Sequence, residues 1–336
     1  MTLIRTALAC ALLAAPTAAQ PSKVGGIAPD PAPTVWMCDA GLTTIDTPDG
    51  WECTLANIDI VKLYIDEINS ASQADLIAMV QLLNYYDIDI AIELGGLVDW
   101  HADKGKQSAE MSFANEFAKV RKLTDPIDQG GAGGSVAILD MDGPIRRMLW
   151  PNNTNPGYHT LETATDELAD VMLLWADALP GAQVSLLINF PNWGWKGEPA
   201  YNNLGLPPGP LGYGDYFDAF VMAVAKTQTA GAPLVSVTID NPYDYAIGEH
   251  NSNQDRLIAG IDWMGRILDL EAESTRQSLA VNVVFNSERG GQTSGALFAA
   301  DSLAFIDLYL ARGGTPEGAI MQSWYPYPDT ILPETT

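Results

Sequence analysis

The sequence predicts a single (β/α)8 barrel, and three observations carry that reading. Eight short apolar, β-branched runs recur along the 336 residues, and each closes on a polar residue. Helix-period segments lie between most of them, and alternating strands and helices imply a parallel sheet with right-handed crossovers. No Gly-x-Gly-x-x-Gly follows the first run and no Gly-rich Lys-Ser/Thr loop occurs anywhere. That argues against a nucleotide-binding open sheet and for closure.

In chain order, residues 1–19 read as a secretory signal peptide. Arg5 precedes an apolar run over 7–15, and small residues follow up to a cut after Ala19. The run is too short to span a bilayer. The expected location is therefore secreted or periplasmic. A Pro/Gly-rich extended lead covers 20–34, and 35–336 is expected to be one catalytic domain. Strands are predicted at 35–39, 60–66, 88–93, 135–142, 183–189, 234–240, 279–288 and 319–324. Helices are predicted at 74–86, 109–123, 161–178, 216–229, 255–273 and 301–312. Leu76, Val80 and Leu83 show the helical spacing, falling on one face at i, i+4 and i+7. The connection over 40–57 lacks a convincing long helix, and little chain follows the eighth strand. The first and last helices are thus expected to be short or missing, with long βα loops.

Charge excludes some functions. Seventeen Lys and Arg stand against 42 Asp and Glu, a net −25, which becomes −26 once Arg5 leaves with the leader. Such a field repels phosphate backbones and anionic lipid, so no nucleic-acid partner is expected. No later run reaches 18 uninterrupted apolar residues, so no membrane span is expected. Cys10 leaves with the leader. Cys38 and Cys53 remain, and in an export compartment they are expected to form a disulfide. Closing a loop of about 15 residues would stabilise the fold by about 3 kcal/mol. His101, His159 and His250 form no spaced ligand pair, so no metal and no cofactor are expected. The oligomeric state is left open.

In a barrel of this kind, chemistry sits at the C-terminal strand ends and the loops after them. Period-2 alternation puts Asp140 and Asp142 on one face of the fourth strand. Crowded carboxylates split their pKa values, so one of Asp140, Asp142 and Asp240 is expected to titrate high. Glu288 is read as the end of the seventh strand, with Asn282 and Asn286 on its face. Asp240 closes the sixth, Glu93 the third, and Asp66 the second, where it shares a face with Lys62 and Tyr64. Lys62 needs a counter-charge from neighbouring carboxylates and is read as structural. Aromatic residues cluster after several strands. Trp193 and Trp195 follow Asn189, Trp324 follows Gln322, and Trp100, Tyr243 and Tyr245 lie on other loops. Rings on loops beside acids and amides suit a carbohydrate, whose C–H faces stack while its hydroxyls bond to polar groups.

With Asp140, Asp142, Asp240, Glu288 and Trp324 at strand ends, the chain resembles the secreted (β/α)8-barrel glycoside hydrolases. That resemblance implies Asp142 as acid/base and Glu288 as nucleophile. A second family pattern pairs the fourth- and sixth-strand aspartates, Asp142 with Asp240. The chain departs from the commonest group, which carries Asn-Glu at the fourth strand where this one has Leu-Asp-Met-Asp. The implied activity is a two-carboxylate hydrolysis of a poly- or oligosaccharide. Two alternatives stand beside it. One is a polysaccharide lyase acting on a uronic-acid polymer through His101, His159 or Tyr64, and the other is a barrel that only binds glycan.

Overall fold

The computed structural model describes residues 32–39, 41–95, 107–149, 160–201, 212–250 and 260–329. The expected leader, Trp100, His101 and His159 lie outside them. Eight strands are present: β1 (Thr34–Cys38), β2 (Ile60–Tyr64), β3 (Asp89–Leu94), β4 (Ile138–Asp142), β5 (Gln183–Asn189), β6 (Ser236–Asp240), β7 (Ala280–Val284) and β8 (Gly318–Gln322). All pair in parallel with their sequence neighbours, and β1 pairs with β8, so the sheet is a closed barrel. The seam joins distant parts of the chain. Thr34 donates both its N–H, at 2.8 Å, and its hydroxyl, at 3.0 Å, to the Glu317 carbonyl, 283 positions away.

The helices are α1 (Glu52–Leu55), α2 (Ile65–Ser70), α3 (Gln73–Tyr85), α4 (Gln107–Thr124), α5 (Pro144–Leu149), α6 (Leu161–Ala178), α7 (Tyr216–Ala230), α8 (Tyr243–Ala246), α9 (Trp263–Arg276), α10 (Glu288–Thr293) and α11 (Gly295–Ala311). As expected, the first connection holds only short helix, and among the described residues none follows β8. Their starts are explained by caps. Ser72, Thr160, Asp215, Asp262 and Ser294 each accept an N–H of the first turn with their side chain, a device worth about 0.5–2 kcal/mol. Asp262 starts α9 at Trp263, later than the predicted 255, and Ser294 starts α11 six residues before the predicted 301. Among the described residues no helix is long and apolar enough to cross a membrane.

Alternation divides the strands cleanly. Val61, Leu63, Ile92, Leu139, Val237, Ile239, Val281 and Val283 face outward into the layer between sheet and helices. Trp36, Ile60, Ala91, Val284 and Ile320 form a separate cluster inside the barrel. On the β5–β7 side the interior is polar instead: Ser185 and Thr238 hydroxyls lie 3.0 Å apart, and Asn282 reaches Ser236 and Thr238 at 3.4 Å. Gly318 faces this filling. A Cβ there would lie 2.3 Å from Asn282 Oδ1, so only glycine lets β8 close over it.

Three expectations change here. β2 stops at Tyr64 and turns directly into α2, which puts Asp66 in a helix. β7 stops at Val284, and Glu288 begins α10 rather than ending a strand. The Cys38–Cys53 disulfide is not formed, because Cys38 is a free, buried thiol. It shares the inward face with Trp36 and lies among Lys62, Tyr64 and Glu93. Cys53 is on α1, whose Leu55 packs in the outer layer.

Candidate active site at the barrel mouth

Register builds the first half of the mouth. Tyr64 pairs with Glu93, and Glu93 with Asp140, so two carboxylates stand side by side on adjacent strands. Lys62 rises between them, with Nζ 2.8 Å from Asp140 Oδ2 and 2.9 Å from Glu93 Oε2. Burial works to strip the Lys62 charge, and Asp140 and Glu93 outweigh it, so the ammonium is held well above the usual lysine range. A lysine so held is a fixed cation, not a nucleophile. Gln322 Nε2 donates to Glu93 Oε2 at 2.6 Å and to the Tyr64 hydroxyl at 3.3 Å. Trp324 Nε1 donates to Glu93 Oε1 at 3.3 Å and leaves 39% of the residue exposed. Burial pushes the Cys38 thiol and the Tyr64 phenol up, and the Tyr64 hydroxyl is committed to the Ser323 carbonyl at 3.2 Å.

Asp142 is two residues above Asp140 and is gripped from α5. Arg147 NH2 is 2.6 Å and Arg146 NH2 3.8 Å from its Oδ2. The carboxyl is still raised, since burial outweighs both guanidiniums. Its open side lines a cavity of about 600 Å³. Tyr64, Asp66, Glu93, Asn115, Lys119 and Arg147 are among the residues around it. Asp66 points outward at its edge, 84% exposed, and pairs with Lys119 at 2.7 Å.

The second half is held by neutral groups. Asn189 and Asp240 end β5 and β6 in register. Asn189 Nδ2 donates to Asp240 Oδ2 at 3.2 Å, and Asn286 Nδ2 donates to Oδ1 at 3.3 Å. Asn192 fixes Asn189 in turn, at 2.7 Å. Burial pushes the Asp240 carboxyl up to about 7. The Asn286 bond opposes that rise, and the charges of Asp142 and Glu93 add to it. Asn286 Oδ1, Gln322 Oε1 and Asp140 Oδ1 are buried acceptors with no hydrogen-bond partner among the described residues. Burial, together with the charges of Asp240 and Glu288, pushes the Tyr325 phenol up. Glu288 Oε2 accepts the Tyr245 hydroxyl at 2.7 Å.

The structure thus brings Glu93, Asp140, Asp142, Asn189, Asp240, Asn286, Gln322 and Trp324 to one mouth. It does not bring Trp193 and Trp195 there. Both rings are buried in an aromatic layer with Phe190, Tyr216 and Phe217. Trp195 Nε1 is bound by Asp269 at 2.8 Å. Arg266 clamps the Trp193 carbonyl at 3.0 Å while covering Trp263. Their loop position had pointed to ligand contact, but α7 and α9 cover them. Sequence reasoning missed Cys38 as a mouth residue, having paired it with Cys53. It also left Arg146 and Arg147 without a partner, although Asp142 four and five positions earlier is within one helical turn.

No family model matches the chain, and no curated protein matches it. Solved structures are similar at low identity. One is a probable tagatose 6-phosphate kinase from Sinorhizobium meliloti, with TM-score 0.46 and 11% identity over 86% of this chain. The chain spans 64% of that kinase's length. Another is D-psicose 3-epimerase, with TM-score 0.40 and 13% identity over 87% of this chain and 85% of that one. A third is 3-keto-D-glucoside 4-epimerase from E. coli, with TM-score 0.42 and 9% identity over 88% of this chain and 94% of that one.

The expected glycoside hydrolase is corrected. The site departs from the Asp142–Glu288 pair that the resemblance implied. Asp142 Oδ2 is taken by Arg147, and Glu288 sits on a helix bound to Tyr245. The lyase alternative loses Tyr64 as a base, because burial keeps its phenol protonated. The glycan-binding alternative loses the buried Trp193 and Trp195.

Proposed function

We propose that this barrel is an acid–base enzyme that moves a proton on carbon in a small hydroxy-carbonyl substrate, as a sugar isomerase or epimerase does. One observation carries the reading: Asp240 is a buried carboxyl pushed up to about 7, oriented by two amides that do not neutralise it. A group that titrates near the working pH both takes and returns a proton efficiently. The carboxylate takes the hydrogen on the carbon beside the carbonyl, and the electron pair moves onto the carbonyl oxygen. The resulting enediolate is then reprotonated on carbon. The exposed Trp324 ring suits a sugar's C–H face. The cavity of about 600 Å³ on the β2–β4 side of the mouth, lined by Glu93 and Asp142, has room for a monosaccharide. Export directed by residues 1–19 would place the activity in the periplasm or outside the cell, and a mature protein beginning at Gln20 would support it.

The test is deuterium exchange. Aldoses and ketoses incubated in D2O with the protein should incorporate deuterium beside the carbonyl, read by proton NMR. Asp240→Asn should slow that exchange at least about 10²-fold. Exchange that survives the substitution, or no exchange across the panel, overturns the reading.

A further inference from the structure

The loops after β6 and β7 hold a second titratable pair that the chemistry above leaves unused. Asp244, buried on α8, receives His250 Nδ1 at 2.9 Å on Oδ2. Its Oδ1 accepts the N–H of Glu288 at 3.0 Å, the N–H of Arg289 at 3.4 Å and the Ser287 hydroxyl at 3.4 Å. Burial opposes the charge, but the His250 bond and the backbone N–H groups outweigh it and hold Asp244 below the usual carboxylate range. An ionised partner can only accept, so Nδ1 carries a proton and Nε2 is the nitrogen left for exchange with a substrate. Nε2 makes no hydrogen bond to any described residue, and 18% of the side chain remains exposed.

The ring cannot swing freely. It stacks on Tyr245 at 3.9 Å and 15°, with Tyr201 edge-on at 5.7 Å, and Tyr201 donates to the His250 carbonyl at 2.7 Å. The charges nearby are accounted for. Arg289 is taken by Asp301 at 3.0 Å and Glu249 at 3.2 Å, and Glu288 by the Tyr245 hydroxyl. One turn of chain after β7 links this pair to the proton-transfer carboxyl: Asn286 Nδ2 donates to Asp240 at 3.3 Å, and two and three residues on, the N–H groups of Glu288 and Arg289 donate to Asp244. An ionised orienting carboxylate, a fixed tautomer and an open nitrogen are the parts of a general acid–base group.

We infer that His250 is a second proton-transfer group at the rim of the mouth, that Asp244 is its positioning residue, and that the reaction is aldose–ketose isomerisation. This rests on the function proposed above and deepens it. Converting a 2-hydroxyaldehyde into a hydroxyketone moves one hydrogen between carbons and one between oxygens. Asp240 carries the first. His250 Nε2 takes the second from the C2 hydroxyl and delivers it to the C1 oxygen. Both groups end as they began, and no co-reactant is needed.

Two measurements test it. Long-range nitrogen–proton NMR of the wild-type protein should show His250 protonated on Nδ1 and bare on Nε2 at alkaline pH, and Asp244→Asn should abolish that preference. An Nε2–H tautomer in the wild type overturns the inference without any substrate. In D2O, His250→Gln should lower the ratio of isomerisation to carbon exchange at least about 10²-fold, while exchange still depends on Asp240. A wild-type ratio in His250→Gln overturns the role of His250 alone. Exchange that is indifferent to Asp240→Asn overturns the underlying function instead.

Discussion

Asp140 lies two residues below the end of β4 and Asp240 ends β6, and both are buried inside one barrel, yet they are held in opposite ways. Asp140 is locked to a buried ammonium at 2.8 Å. Asp240 is held only by amides, at 3.2 and 3.3 Å. A cation keeps a buried carboxylate ionised and immobile. Amides orient it and leave its proton negotiable, because they relieve only part of the desolvation. The same side chain is therefore held as scaffold on one side of the mouth and left free to trade its proton on the other.

The largest expected effect breaks the scaffold half. Lys62→Met leaves Asp140 and Glu93 buried together without a counter-charge and should cost about 3–5 kcal/mol, measured by urea unfolding. A loss below about 1 kcal/mol would mean that the two halves are held alike. Next is the pH profile of stability. The folded Asp240 carboxyl at about 7 holds a proton that the unfolded chain loses near 4. Its contribution therefore falls as pH rises from about 4 to about 7, by up to about 1.4 kcal/mol per pH unit, and is flat above. Asp240→Asn should remove that slope, and parallel profiles for the two proteins would contradict the assignment. Arg147→Ala should change stability by less than about 1 kcal/mol, because its pair with Asp142 is partly exposed. It should raise the Asp142 carboxyl further, as read by carbon-13 NMR. Trp324→Ala should leave melting within about 0.5 kcal/mol of wild type and weaken sugar binding by titration calorimetry. Unchanged binding would remove Trp324 from the site.

The contrast was half visible in the sequence. Period-2 alternation placed Lys62, Glu93, Asp140, Asp142 and Asp240 on inward faces, because a barrel strand buries both sides and only parity decides which way a polar residue points. The need of Lys62 for neighbouring carboxylates also followed from its type. Which aspartate receives the lysine did not, since that depends on register between strands far apart in sequence. Glu288 was read as strand-final because apolar residues continue through Phe285, yet that ring turns outward to pack on Phe305. Trp193 and Trp195 looked like loop aromatics because nothing local shows that α9 supplies Arg266 and Asp269 to cover and bind them. Cys38 and Cys53 were paired by compartment logic, which is silent on the faces that two cysteines occupy.

The seam between β1 and β8 bears on how the chain folds. Thr34 finds Glu317 only after almost the whole polypeptide is available, and Cys38 finds Gln322 on the same terms. Loops of that length close slowly, and topologies dominated by such distant contacts fold late and cooperatively. Gln322 is also the donor that completes Glu93. Until the last strand docks, the Lys62 cluster keeps a wet, unfinished edge, so the ion pairs stabilise the barrel only once it has shut. A chain stopped before Gly318 should expose the cluster to water and be readily digested.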